Sequence, residues 1–203
     1  MTISKEDHDR IASAIRSAEA KTSGEIVCVL AQTSSHATGL PIFIAAVAAL
    51  ALPWLLLTFP AITVYRILLL QIIVFLTLLV VLCLPRVRVA LMPHRARRAF
   101  AYRVAMEQFA SRGLSSNKNQ SGILIFVSLA ERYARIIAGP EIAARVPQTR
   151  WQAAVDALIA HTQNGRIADG FIAAIGMCGD ELARHFPRTD KGRSDLPDRI
   201  YLI

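Results

Sequence analysis

Gly122-Ile123-Leu124-Ile125-Phe126-Val127-Ser128-Leu129-Ala130-Glu131-Arg132-Tyr133-Ala134-Arg135-Ile136-Ile137-Ala138 is the stretch whose reading decides the fold. Residues 123–129 are almost continuously apolar over the length of one strand, the pattern of a strand buried on both faces. After the short Ala130-Glu131 turn, residues 132–138 mix Tyr133, Ala134, Arg135 and Ile136, so this segment is expected to pair antiparallel with the one before it and to form a sheet edge. A run of the same buried character, Glu25-Ile26-Val27-Cys28-Val29-Leu30-Ala31, follows directly on Thr22-Ser23-Gly24.

Helical periodicity surrounds these strands. Ser4 is placed to cap a helix carrying Ile11, Ile15 and Ala18. Residues 94–112 read as a basic amphipathic helix with Phe100, Val104 and Phe109 on one side, ended by Gly113 and expected to lie partly against lipid headgroups. Gly139-Pro140 starts a brief helix. Thr149 with Gln152 is expected as a capping box for a helix with Trp151, Val155, Leu158 and Ile159 on its apolar face. The last helix, from residue 167 to 186, turns Phe171, Ile175, Leu182 and Phe186 inward and stops at Pro187, before a charged tail expected to be flexible. Helix, strand, helix, strand, strand, helix, helix is the order of an α/β, three-layer sandwich with a small mixed β-sheet.

Between the first strand and the basic helix lies the apolar excess of a chain that is 54% hydrophobic and 19% charged, with mean hydropathy +0.41. No Asp, Glu, Lys or Arg occurs between Glu25 and Arg66, nor between Arg66 and Arg86. Residues 40–59 and 67–84 are each long enough as helices to cross a bilayer core of about 30 Å, and the short link between them makes a two-helix transmembrane hairpin. The expected organisation is therefore 1–39 as the first part of the α/β domain, 40–85 as the hairpin, 86–187 as the basic helix and the rest of the domain, and 188–203 as the tail.

Charge fixes the expected orientation. Arg86, Arg88, Arg95, Arg97, Arg98, Arg103 and Arg112 stand against Glu107 in residues 86–112, which supplies +6 of the chain's net +8. Such a cluster beside a membrane helix belongs on the cytoplasmic side, so both termini and the soluble domain are expected in the cytoplasm of a bacterial inner-membrane protein. The cluster also favours anionic headgroups over nucleic acid as its partner. Cys28, Cys83 and Cys178 form no CxxC and imply neither a disulfide framework nor a zinc site.

Chemical motifs are sparse. There is no GxGxxG, Walker loop, HExxH or GxSxG. Glu181 and His185 are four apart on the last helix and read as a solvated ion pair; Asp156 and His161 read as helix-surface charge. Glu25 opens the first strand, and Asp169 sits in the first turn of the last helix, where the helix dipole favours it.

Two sets of residues carry a family resemblance. Ala18-Glu19-Ala20-Lys21-Thr22-Ser23-Gly24-Glu25-Ile26-Val27, within residues 11–29, resembles the opening of the TPM-domain family, named for thylakoid-lumen and photosystem II repair proteins. Residues 122–132 and 134–138, then Trp151, residues 165–170 and residues 182–187, resemble its remainder in order. The resemblance implies an α/β domain beside membranes, a role in maintaining membrane-protein complexes and, for some plant members, a phosphatase activity attributed to acidic residues. The family commonly has an aspartate just after the third strand; here that place holds Gly139-Pro140-Glu141, with the carboxylate displaced by two positions.

The expected function is thus an interaction or accessory module in membrane-protein complex maintenance, with membrane lipids and a membrane protein as partners, no nucleic acid and no cofactor. A metal-dependent, phosphatase-like hydrolase is the alternative; it would need a divalent ion, with Glu25, Glu141 and Asp169 as the candidate carboxylates. Candidate binding residues are Ser128, Arg95, Arg97 and Arg98. In open α/β sheets ligands bind beyond the carboxyl ends of the strands, so a crevice is expected by Gln32 and Ser128, with Asn164 on the far side.

Overall fold

Alternation hidden inside the two apolar runs divides their side chains between two cores. β1 (Glu25–Ala31) and β2 (Gly122–Ser128) are buried at every position. Ile26, Cys28, Leu30, Ile123, Ile125 and Val127 enter one core, while Val27, Val29, Ala31, Leu124 and Phe126 enter the other. A strand with helices on both faces needs this continuous apolarity, because successive side chains point to opposite sides.

The computed structural model describes residues 4–32, 39–56, 63–84, 87, 93–114, 122–188 and 199–203. Residues 57–62 of the expected hairpin, Arg86 and Arg88, the 115–121 loop and residues 189–198 of the tail lie outside the described residues. The chain divides into two compact units, residues 1–34 with 98–203 and residues 35–97.

In the first unit the strands stand in the order β3-β2-β1-β4, with β3 at Tyr133–Ala138 and β4 at Ile200–Leu202. β1 is parallel to β2, with Ala31 opposite Ser128, and β2 is antiparallel to β3 as its short turn demands. The sheet is therefore mixed, and β3 is an edge. β4 corrects the expectation of a flexible tail through residue 203: it adds parallel to β1, closed by Gln32 N–H to Ile203 O and Ile203 N–H to Leu30 O. Three residues are too few to show periodicity, and the open edge of β1 supplies what the local sequence lacks.

One face of the sheet is covered by α1 (Lys5–Glu19), α6 (Gln148–Gln163) and α7 (Ile167–His185). In α1 the Asp7 N–H donates to Ser4 Oγ at 3.1 Å, and Ile11, Ile15 and Ala18 are buried. α7 lies so close to α1 that a Cβ on Gly179 would stand 2.7 Å from that of Ala18. The brief α5 (Pro140–Arg145) adds Ile142 to this core. The expected capping box is absent: α6 begins at Gln148 after Pro147, so Thr149 already lies inside the helix, and Gln152 donates instead to Asp156.

The opposite face is covered by α4 (His94–Ser111), whose Ala101, Ala105 and Phe109 pack on the sheet, followed by Gly113 at φ +72°. The basic helix is thus the third layer of the sandwich. Of the expected Phe100, Val104 and Phe109, Phe109 is buried against the sheet and Val104 packs partly buried beside it, joined by two alanines that carry a weak hydrophobic signal.

The second unit contains α2 (Gly39–Leu56) and α3 (Val64–Cys83), which pack on each other. Ala45 and Ala49 are buried on α2 and Ile67 on α3. Among the described residues α3 alone is long and apolar enough to cross a membrane; the apolar stretch of α2, Ile42–Trp54, is shorter. Of the two expected spans, one is thus matched by a helix of spanning length and composition, and the other is not. Thr77 Oγ–H donates to Ile73 O at 2.8 Å, which satisfies a hydroxyl in an otherwise apolar helix.

Candidate functional site

The parallel pair β1 and β2 ends at Ala31 and Ser128, and the chain turns there in a way that opens a cleft. Leu129 N–H donates to Ala31 O at 3.0 Å and Ala130 N–H to Gln32 O at 3.2 Å, which carries the link past the end of β1. Arg132 completes the turn at φ 51°, a left-handed conformation that non-glycine residues seldom adopt. Beyond these strand ends lies a cleft of about 720 Å³. Gln32, Ser128, Arg132 and Tyr133 line its sheet side, and Thr162 and Gln163 line its α6 side.

Within the turn the Ser128 hydroxyl donates to the Glu131 carboxylate, and both residues are buried. The carboxylate thus orients the hydroxyl and ties the end of β2 to the turn. Thr162 Oγ–H is directed to Leu158 O at 2.8 Å. Among the described residues Arg132 is the one charged side chain lining the cleft, whose walls include Val127, Leu129, Leu158 and Ile159. An apolar cleft with a few polar groups and one cation suits binding of a neutral or anionic group.

Of the residues singled out from sequence, Ser128 lies in this cleft together with Gln32. Asn164 is not remote from it: Gln163 and Gly165 line the same cleft, because the carboxyl end of α6 packs beside the carboxyl ends of β1 and β2. Arg98, exposed on α4, borders a different groove, along β3. Arg95 and Arg97 lie in the first turn of α4, within the stretch assigned to the second unit.

The three candidate carboxylates are distributed over the sandwich. Glu25 opposes Gly122 at the amino end of the parallel pair. Glu141 is exposed on α5, just after β3 returns to that same end. Asp169 is at the start of α7 and accepts from Arg10 at 2.6 Å, a bond that holds its carboxyl below the usual range. Among the described residues no three His, Cys, Asp or Glu side chains form a group able to hold a metal ion.

Other polar side chains have structural partners. Glu181 corrects the expectation of a solvated pair: it is buried and faces Arg184 at 3.2 Å, Arg150 at 3.5 Å and His185 at 3.9 Å. The three cysteines are free thiols, and burial pushes the Cys28 and Cys178 thiols up, which keeps them neutral. Sequence reading missed Glu131, Arg132, Thr162 and Gln163. The Ser-x-x-Glu spacing across the four-residue turn of residues 129–132 signals the first; the α6 residues arrive only through tertiary packing.

A family model described as the TPM domain matches residues 79–181. Among solved structures, the NMR structure of the BA42 protein from the psychrophilic bacterium Bizionia argentinensis is similar, with a TM-score of 0.62 and 20% identity, covering 100% of this chain and 96% of that one. At that identity the likeness concerns the fold alone. No curated protein matches the sequence.

Proposed function

We propose, from the premise that the chain belongs to the TPM domain family, that it is a membrane-anchored interaction module serving the maintenance of membrane-protein complexes. The observation that carries this reading is α3: twenty residues of mean hydropathy 2.7 over its apolar window, with 11% of that window buried. A helix about 30 Å long and exposed almost all round is matched to lipid, not to water.

A parity argument supports a second crossing. β1 and β2 are hydrogen-bonded neighbours, so residues 31 and 122 lie on one side of any membrane. The chain between them must cross an even number of times. If α3 crosses once, α2 is the candidate for the return; Gly39–Leu56 is about 27 Å long as a helix, and Pro53 falls near its end. The arginine bias then puts both termini and the sandwich in the cytoplasm of a bacterial inner membrane.

The Ser128 cleft is the surface assigned to binding, with a membrane protein as partner and lipid headgroups near the arginines. What favours binding over a metal-dependent, phosphatase-like hydrolase is that Glu25 and Glu141 stand at the amino end of the parallel pair, whereas Asp169 is held by Arg10 at the start of α7, and the three form no common group. Photocrosslinkers at Gln163 and Thr162 of the full chain in native membranes test the assignment. Capture of one membrane protein from both positions, and not from exposed Glu6 on α1, is expected. Equal capture at all three would contradict it.

A further inference from the structure

β3 carries a second, independent binding feature on its outer side. The Gly139 N–H donates to Gly122 O at 2.8 Å, which makes residues 122 and 139 a hydrogen-bonded pair of the antiparallel ladder. Such pairs alternate, so Tyr133, Arg135 and Ile137 direct their backbone groups to β2. Ala134, Ile136 and Ala138 consequently direct an N–H and a C=O each toward the open edge, where among the described residues no strand follows β3 in the sheet.

That edge forms the floor of a groove. Two adjoining cavities, of about 510 and 280 Å³, run along β3 and share Tyr102, Arg135, Ile136, Gln148 and Trp151. α4 makes one wall and α5 with α6 the other. Six residues of β3 offer about 20 Å of edge, the length of an ordinary strand. Among the described residues the charge in the groove has one sign: Arg98, Arg132 and Arg135 line it, and no Asp or Glu does. The Arg135 guanidinium lies 4.8 Å from the centre of the Tyr102 ring, drawn toward the α4 wall.

We propose that the open edge of β3 is a β-augmentation site for an extended, acidic segment of a partner protein. The segment would add as a fifth strand, bonding through the backbone groups of Ala134, Ile136 and Ala138, and its carboxylates would meet the three arginines. The surface is separate from the Ser128 cleft, although Arg132, Tyr133, Ala134 and Ile159 border both, and the inference stands or falls independently of that cleft's role.

The test uses the full chain in phosphatidylcholine nanodiscs and a fluorescent ten-residue peptide of alternating valine and glutamate, with a valine–lysine peptide as the control. The acidic peptide is expected to bind, the basic one not, and the amide hydrogens of Ala134, Ile136 and Ala138 are expected to exchange more slowly in the complex. N-methylation of alternate residues of the acidic peptide should abolish binding with the protein unchanged. Ala134→Pro, which removes one outward donor without touching a bond to β2, should weaken binding about tenfold. Arg98→Glu should weaken it in a salt-dependent way. Equal binding of both peptides, indifference to N-methylation, or no binding at all would overturn the proposal; the last result would make the arginines a guard against edge pairing. A dimer dissociated by Ala134→Pro would give the edge to a second copy of this chain and would also overturn it.

Discussion

α3 and α7 differ by one residue in length and have opposite surroundings. α7 has 19 residues, and its inward face includes Phe171, Ala174, Ile175, Cys178 and Leu182, while Asp180 and Arg184 point outward. α3 has 20 residues, apolar or aromatic apart from Arg66, Gln71 and Thr77, and Ile67 is its buried position. Length therefore does not decide where a helix goes; apolar content and its distribution around the axis do. α7 presents one stripe to a protein core. α3 presents apolar surface wherever it is not packed on α2, the distribution suited to lipid in the anchored reading.

The comparison breaks most sharply by deleting a core side chain. Phe171→Ala empties a fully buried site in α7 and should cost about 3–5 kcal/mol, read as a lower denaturation midpoint of the α/β unit, with membrane retention unchanged. The converse change is Ile73→Asp in the middle of α3. It should disfavour insertion by about 3 kcal/mol and release protein during alkaline extraction of membranes, with little effect on unfolding of the α/β unit. If both variants altered both readouts equally, the division of labour between the two helices would be lost.

A smaller effect sharpens the picture of α7. Gly179→Ala forces a methyl group to 2.7 Å from Ala18 Cβ, so α1 and α7 must separate; a loss of about 1–3 kcal/mol is expected in thermal unfolding. The same substitution at Gly176, which has open space around it, should be neutral or slightly stabilising.

The smallest expected effect is electrostatic. Arg10 lowers the folded-state pKa of Asp169, so the pair stabilises the fold above the ordinary aspartate pKa, and that contribution is lost as pH falls through the depressed value. Between about pH 4 and pH 2 the wild-type midpoint should therefore fall more steeply than that of Asp169→Asn. Parallel curves would remove the pair from the account. Both partners are partly exposed, so the difference should be small and should shrink in salt.

The sandwich was legible where one physical signal dominated. The apolar runs at residues 25–31 and 123–129, the tight turn before β3 and the Ser4 cap are local features, and local sequence specifies them. β4 was not legible, because three residues gain their structure from the free edge of β1. The inner face of α4 was legible in Phe109 and Val104 but not in Ala101 and Ala105, which bury well without a strong hydrophobic signal. At the site, Ser128 followed from the parallel order of two strands. Glu131 required the closed geometry of the turn, and Thr162 and Gln163 required knowledge of where α6 ends in space. Asn164 was assigned to the wrong side for that same reason.

The most direct test of the anchored sandwich is the side of the membrane on which each terminus lies. Paired reporters, green fluorescent protein and alkaline phosphatase, would be fused separately before Met1 and after Ile203 of the full chain. An even number of crossings with a cytoplasmic sandwich predicts fluorescence and no phosphatase activity at both ends, with all fusions in the membrane fraction. Phosphatase activity at one end alone would mean a single crossing and contradict the pairing of β1 with β2; activity at both ends would contradict the cytoplasmic orientation.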